Sequence, residues 1–451
     1  MKRNELLEVK IEYNKYPNVG IGTYNSKKIH VKNAIEGQWV SARYKRAKGG
    51  KAEAKLVEVL ERSPIEQASF CEHFDLCGGC MLQTLNYENQ KQLKKRMVEN
   101  LFQEAGLDIT FETIHSSPEI FEYRNKMEFS FGDAYKGGPL TLGMHRKGRH
   151  NDVVTVDHCH LADGDYRAII RSVLDYFSAS KYPKYNKHTH EGFLKHLVVR
   201  KAKKTGEIMV ALSATTQFDF DGAEFVRVLA GIPFEGTLTS VLYVKNDGLG
   251  DVVSGDVEVL YGRDHIFDEI HGLKFKITLY SFFQTNTLGA EMLYEQALAL
   301  IPNIEGKLCF DLFSGTGTIG QIMAQSASKV VGIEIVPDAV TSANENAKLN
   351  RLDNCTFLCG DVFKVLETVS DKPDVIVVDP PRVGMGENAV FKVASYGVNE
   401  IVYISCNPKT LLEDLIIFEK QGYTAGKAML LDTFPWTGHV ETVVLMSRVK
   451  E

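Results

Sequence analysis

From Leu308 onward the chain alternates short apolar runs with stretches of helical period, and few folds can accommodate that pattern. The runs are Leu308-Phe310, Val330-Ile335, Thr356-Cys359, Val375-Val378, Ile401-Ser405 and Val443-Met446. Strands buried on both faces read as continuous apolar segments, and the helices between them cover those faces. The pattern predicts an α/β domain with a doubly wound parallel sheet and a ligand crevice at the carboxyl ends of its strands.

The upstream sequence reads differently. Residues 1–62 alternate short apolar runs (Ile29-Val31, Trp39-Val40, Leu56-Leu60) with Gly and Asn turns, as a small β-barrel does. They hold fourteen Lys/Arg against seven Asp/Glu, whereas residues 273–451 hold fifteen against twenty-one. A basic module therefore precedes an acidic one, and the overall charge of −6 conceals the difference. The cluster Arg43, Lys45, Arg46, Lys48, Lys51 and Lys55 lies within the basic module. Between the two modules, residues 63–272 predict an α+β domain with strands such as Lys126-Phe131, His196-Val199 and Ile208-Ala211 and a helix near Ala168-Phe177. A helix from Asn89 to Leu107, stopped by Gly106, opens a connecting segment, about 90–122, expected to pack on the last domain. The expected domains are thus 1–62, 63–272 and 273–451.

No run reaches the roughly 18 apolar residues of a membrane span, and MKRNELLEVK has no apolar core of a signal peptide. A cytoplasmic location, no membrane partner and a monomer are expected. Eight cysteines in 451 residues are too sparse for a secreted disulfide scaffold, so reduced thiols are expected.

The chemistry-bearing residues fall at strand ends. Asp311-Leu-Phe-Ser-Gly-Thr-Gly-Thr-Ile-Gly320 leaves the first strand and enters a helix, where Gly315 and Gly317 let a ligand approach the backbone. Glu334 ends the second strand, the position from which a carboxylate accepts ribose hydroxyls. Gly315-Thr-Gly-Thr-Ile-Gly320 also satisfies the dinucleotide fingerprint, so a NAD-dependent oxidoreductase stands as an alternative. Against it, Asp311 at the strand tip would repel a pyrophosphate and attract a sulfonium or amino group. Asp379 precedes the stiff Pro380-Pro381-Arg382 turn, and Cys406 follows the fifth strand in Ile404-Ser-Cys-Asn-Pro408, which displays a thiol in the crevice. His439-Val-Glu441 brings a carboxylate to the start of the last strand, a candidate general base.

A second cysteine set stands apart. Cys71, Cys77 and Cys80 form Cys-x5-Cys-x2-Cys around Gly78-Gly79, and Cys159 lies in His158-Cys-His160. Four thiolates hold either zinc or an iron-sulfur cluster, and spacing does not separate the two. Two further basic groups, His145, Arg146, Lys147 and Arg149, then Arg200, Lys201, Lys203 and Lys204, are expected to bind phosphates. A non-catalytic RNA-binding factor would use the same barrel and loops.

The combination Asp379-Pro-Pro-Arg382, Ser405-Cys-Asn-Pro408 and His439-Val-Glu-Thr442 resembles the uracil-5 RNA methyltransferase family, and the resemblance spans essentially the whole chain. It implies a class I S-adenosylmethionine-dependent catalytic domain, a TRAM-like (OB-like) RNA-binding barrel, and methylation of uracil C5 in RNA rather than DNA, with 23S rRNA the expected target and tRNA the alternative. It also implies that Cys406 is the nucleophile and Glu441 the base. Gln284, Phe313, Glu334 and Asp379, with Asp311, Gly315 and Asp361, would hold the cofactor; Phe282 and Arg382 would lie beside the target base. Family members with this cysteine pattern carry a 4Fe-4S cluster on the four positions of Cys71, Cys77, Cys80 and Cys159. The barrel departs from the family where Lys32-Asn-Ala-Ile-Glu-Gly37 replaces a proline-containing turn.

Overall fold

The computed structural model describes residues 1–48, 51–369 and 371–449, with the side chains of Lys48, His150 and Phe363 outside that description. Strands Leu6–Lys15, Val19–Tyr24, Lys27–Lys32, Trp39–Lys48 and Lys51–Glu61 close into a barrel, the fifth strand lying between the third and fourth. Strict alternation along the first strand puts Leu7, Val9 and Ile11 inside, where they meet Ile29, Val31 and Val40.

A helix, Tyr87–Glu104, follows. The Asn86 side chain caps it by accepting the Asn89 N–H at 2.8 Å, and Gly106 turns the chain beyond its end at φ +81°. The next strand, Phe111–His115, joins the sheet of the C-terminal region, 300 residues away in sequence, as its outermost member.

The middle of the chain forms a seven-stranded mixed sheet, in the order Asp256–Gly262, Thr237–Lys245, Glu207–Ala214, Leu194–Lys201, Lys126–Asp133, Leu140–Arg146, Arg149–Thr155. Helices Gly164–Ala179 and Gly222–Ala230 bury Ile169, Val173, Phe177, Phe225 and Leu229 against it. The other face of this sheet, with Val198, Met209 and Leu242, shares a core with the hairpin His265–Ile270/Leu273–Thr278 and helix Thr287–Leu298 of the C-terminal region. That hairpin turns at His271-Gly272, so it straddles residues 272 and 273.

The C-terminal sheet has eight strands, ordered Cys355–Cys359, Lys329–Glu334, Leu308–Leu312, Val375–Val378, Glu400–Ser405, Glu441–Arg448, Tyr423–Leu431, Phe111–His115. Seven run parallel. The exception is Glu441–Arg448, inserted antiparallel between its neighbours, which corrects the expectation of a wholly parallel sheet. The reason is local: Tyr423–Leu431 and Glu441–Arg448 form a hairpin, and a hairpin needs no crossover helix. Tyr423–Leu431 itself escapes a search for apolar runs because its first half, Tyr-Thr-Ala-Gly-Lys, is mostly exposed.

Candidate active site

The antiparallel insertion brings the thiol and the carboxylate together. Ser405 pairs with Thr442, and the same register carried one residue further sets Cys406 opposite Glu441. Two neighbouring strand ends thus bring a thiol and a carboxyl close enough to act on each other's charge. Asp379 enters from the adjacent strand end, its N–H donating to the Leu312 carbonyl at 3.4 Å. The turn bearing Arg382 is pinned to the thiol's own loop: the Arg382 carbonyl accepts from Asn407 Nδ2 at 2.8 Å and from Thr410 Oγ1 at 3.2 Å.

Burial and like charge dominate the electrostatics here. Burial pushes the Glu441 carboxyl up to about 8, helped by Asp379 and opposed by Arg382. Burial alone lifts Asp379 to about 7. The Cys406 thiol is pushed up to about 11 by burial and then by Glu441 and Asp379; Arg382 pulls the other way by charge and a hydrogen bond. At neutral pH the resting site therefore holds a neutral thiol and carboxyls that keep a share of their protons. A cation entering this crevice would draw protons off the acids.

The pocket for such a cation lies across the Asp311 loop. Asp311 is fully buried; its Oδ2 accepts the Gly320 N–H at 2.8 Å, while Oδ1 has no partner. Burial pushes its pKa up to about 8. Phe313 sits at φ +64°, a strained position for a bulky residue, of the kind that collects at ligand-binding turns. Gly315 (φ +53°) donates its N–H to Glu334 Oε2 at 3.0 Å, and Glu334 Oε1 accepts from Val336 at 2.9 Å, so the carboxylate is fixed at the mouth of the crevice. Gly317 is needed for packing, since a β-carbon there would stand 2.5 Å from the Phe357 ring. Asp361 lies beyond the third strand, accepting the Lys364 N–H at 3.4 Å. The Gln284 carbonyl accepts from Asn125 Nδ2 at 2.7 Å, and the exposed Phe282 packs beside Gly315 with its own carbonyl bound by Thr316.

Tyr294 was not among the expected residues. It is buried on helix Thr287–Leu298, its hydroxyl hydrogen-bonds Gln284, and it lies within electrostatic reach of Asp379, Glu441 and Asp311. A tyrosine at a core-facing helix position carries no sequence signal of this.

Two supports hold the segment that delivers Glu441. The first is the helix Tyr87–Glu104: Lys94 Nζ contacts Asp432 Oδ1 at 2.6 Å with both side chains fully buried, and Gln90 bridges Asp432 and the Trp436 N–H. The second is the thiol loop, whose Met81 and Leu82 N–H groups both donate to the Trp436 carbonyl. Trp436 Nε1 donates to the Ile120 carbonyl at 2.6 Å, and its ring meets Phe70 edge-on and stacks on Phe121.

Cys71, Cys80 and Cys159 lie in a cluster with Phe70, Phe74, Tyr123 and Trp436, and Cys77, packed on the middle sheet's core, joins them within electrostatic reach of Cys80. Burial raises all four thiols, and Cys80, pushed up to about 12, responds to the charge of the other three. Lys147 caps the loop by donating to the Phe74 carbonyl and lying 3.7 Å from that ring's centre.

The second basic group divides: Lys203 and Lys204 are exposed, Lys201 is half-buried and Arg200 is buried. Arg200 is buried and donates to the Leu279 and Ser281 carbonyls, which fixes the backbone before Phe282. Lys201 pairs with Asp163 and Asp165, Lys203 with Glu119 and Lys204 with Glu291. Each of the three lysines thus has an acidic partner, whereas Arg200 is held by backbone carbonyls alone. Arg43, Lys45, Lys51 and Lys55 of the barrel are exposed, and Lys55 Nζ lies 3.6 Å from where a Gly148 β-carbon would stand, so the barrel's basic face continues onto the 145–149 loop.

The family described as tRNA (uracil-5-)-methyltransferase matches residues 260–449. An uncharacterized RNA methyltransferase of Clostridium acetobutylicum is 47% identical over 450 residues, covering 99% of each chain. Another, from Caldanaerobacter subterraneus, is 44% identical over 99% of this chain and 100% of its own. The crystal structure of a Pyrococcus abyssi tRNA (uracil-54, C5)-methyltransferase in complex with S-adenosyl-L-homocysteine superposes over 98% of this chain and 100% of that one, with a TM-score of 0.78 at 25% identity. No described helix is long and apolar enough to cross a membrane.

Proposed function

Since the chain belongs to the uracil-5 RNA methyltransferase family, we propose that it methylates its uridine through a transient covalent bond between Cys406 and C6, with Glu441 removing the C5 proton. The single observation that carries this reading is the pairing of Ser405 with Thr442, which leaves the next residues, Cys406 and Glu441, within each other's field. S-adenosylmethionine supplies an electrophilic methyl group, and the fit of its cationic end rests on the orphaned Asp311 Oδ1 and the raised carboxyls around it. Glu334, Asp311, Phe313, Gly315, Gln284, Asp361 and Asp379 would line its site.

Uracil C5 is too weak a nucleophile to accept a methyl unaided. Addition of the Cys406 sulfur to C6 moves an electron pair through C5 onto the O4 oxygen, and the resulting enolate is nucleophilic at C5. The thiol proton passes to the neighbouring Asp379 carboxylate, and Arg382, hydrogen-bonded to the sulfur, stabilises the thiolate that forms. Once C5 carries the methyl, Glu441 takes the remaining C5 proton, the C5–C6 double bond re-forms and the C6–sulfur bond breaks. A carboxylate with a pKa near 8 is a far stronger base than an exposed glutamate. The target must leave its stack to reach C6, which favours a loop uridine.

Cys71, Cys77, Cys80 and Cys159 would hold a 4Fe-4S cluster. Methyl transfer exchanges no electrons, so the cluster's contribution is a covalent tie between residues 71–80 and the Cys159 loop, which steadies the Trp436 turn ahead of Glu441. Ribosomal RNA is the proposed substrate. The second reading, tRNA, is favoured by the Pyrococcus abyssi enzyme's action on uracil-54. The test is tritium release from RNA labelled at uridine C5, using 23S rRNA and tRNA transcripts in parallel. Release stoichiometric with methylation is expected, and methylation without release would reject C5 as the site.

A further inference from the structure

The turn between the barrel's first two strands sits on the catalytic crevice. A β-carbon on Gly438, three residues before Glu441, would stand 2.9 Å from the Pro17 carbonyl oxygen and 3.2 Å from the Met81 sulfur. Buried Asn14 makes the turn rigid: its Nδ2 donates to Asn18 Oδ1 at 2.9 Å and to the Ala34 carbonyl at 2.7 Å, and its Oδ1 accepts the Glu36 N–H at 2.7 Å. Lys15 is tied to Glu104 of the helix Tyr87–Glu104 at 2.7 Å. The barrel is therefore docked at this point against both the Gly438 turn and the helix Tyr87–Glu104.

Tyr16 stands at the tip of that turn. It is 6% exposed and belongs to the core cluster containing Val440 and Leu411, yet its hydroxyl has no hydrogen-bond partner among the described residues. The ring is held by packing while the unbonded oxygen itself is not sealed off, so the polar end of the side chain is open to a ligand. Glu441, Cys406 and Arg382 all act on this hydroxyl electrostatically, and burial keeps it protonated, a permanent neutral donor. Lys409 lies over the ring at 5.9 Å, within the field of Lys32 and Lys51 of the barrel, so the barrel's basic face leads to Tyr16.

We propose that Tyr16 is a substrate-positioning residue of the methylation site: its hydroxyl hydrogen-bonds the extruded pyrimidine nucleotide beside Cys406, so the RNA-binding barrel completes the active site instead of only tethering RNA. The inference rests on the covalent mechanism proposed above. Removing one hydrogen bond to the reacting nucleotide reduces the rate of the bound complex, whereas loss of a remote tether weakens RNA affinity and leaves that rate intact.

The experiment is single-turnover methyl transfer at saturating RNA and S-adenosylmethionine, with wild type, Tyr16→Phe, Tyr16→Ala and Cys406→Ala run together. Tyr16→Phe keeps the ring and its packing. Its rate is expected to fall about tenfold with melting temperature, cofactor affinity and the apparent pKa of the rate unchanged. A wild-type rate for Tyr16→Phe overturns the proposal, including the case in which Tyr16→Ala is slow because it is unstable, since Tyr16 would then be packing alone. A wild-type rate for Cys406→Ala would instead reject the covalent reading on which the proposal rests.

Discussion

Two buried thiol environments occur in this enzyme, joined by the Trp436 turn, and burial raises the thiol pKa in both. In the crevice, one sulfur faces a guanidinium and two acids, so its charge can be created when substrate arrives and dispersed again. In the cysteine loop, four sulfurs lie within one another's field, three of them in an aromatic cluster, with Lys147 as a nearby cation. Four thiolates cannot persist there unless a multivalent cation binds them. The difference teaches that the neighbours, more than the depth of burial, set what each thiol is suited to: a charge made and dispersed in the crevice, a shared cation in the loop.

The comparison breaks most sharply by mutation of each sulfur. Cys406→Ala should lower turnover by on the order of 10⁴-fold, the scale of losing a catalytic nucleophile, while its melting temperature stays within a degree or two of wild type, because a raised-pKa thiol contributes nothing ionic to the fold. Cys80→Ser should do the reverse. Calorimetry should show a loss on the order of several kcal/mol together with loss of bound iron, and the residual activity should be limited by proton removal, since the Trp436 turn is loosened.

A smaller effect distinguishes the two regions by pH. Glu441 must be ionised to take the C5 proton, so the rate of that step should rise about tenfold from pH 7 to pH 9 and level off above the carboxyl's pKa of about 8. A flat profile would mean that Glu441 is not the base. The smallest effect is on stability. A carboxyl whose pKa is higher folded than unfolded binds extra protons in the native state, so it destabilises the fold increasingly as pH rises from about 4.5 to about 8. Glu441→Gln should therefore melt higher than wild type at pH 8, by about 2–4 °C per kcal/mol relieved, and the gain should vanish at pH 4.

Much of the crevice was legible before folding because strand ends are marked by composition. Apolar runs fixed the positions of Asp311, Glu334, Asp379 and Cys406, and each emerges at a strand tip. The antiparallel placement of Glu441 was not legible, since Tyr423–Leu431 is too polar in its first half to read as a strand, and without it no hairpin is evident. Nor could Phe111–His115 be assigned to a sheet formed 300 residues later, a pairing set by tertiary packing alone. Charge alone did not reveal the pairing in one place: the acidic partners of Lys201, Lys203 and Lys204, namely Asp163, Asp165, Glu119 and Glu291, are distant in sequence, and Arg200 is buried against backbone carbonyls. Tyr16 and Tyr294 were silent for the same reason, because a buried tyrosine near the chemistry has the sequence signature of any core tyrosine.

The most direct measurement uses RNA in which the target uridine is replaced by 5-fluorouridine. Fluorine cannot leave as a proton, so methylation should halt with the enzyme attached, and digestion followed by mass spectrometry should find the modified nucleotide on the peptide containing Cys406. An adduct on any other residue, or the same yield of adduct from Cys406→Ala, would contradict the account.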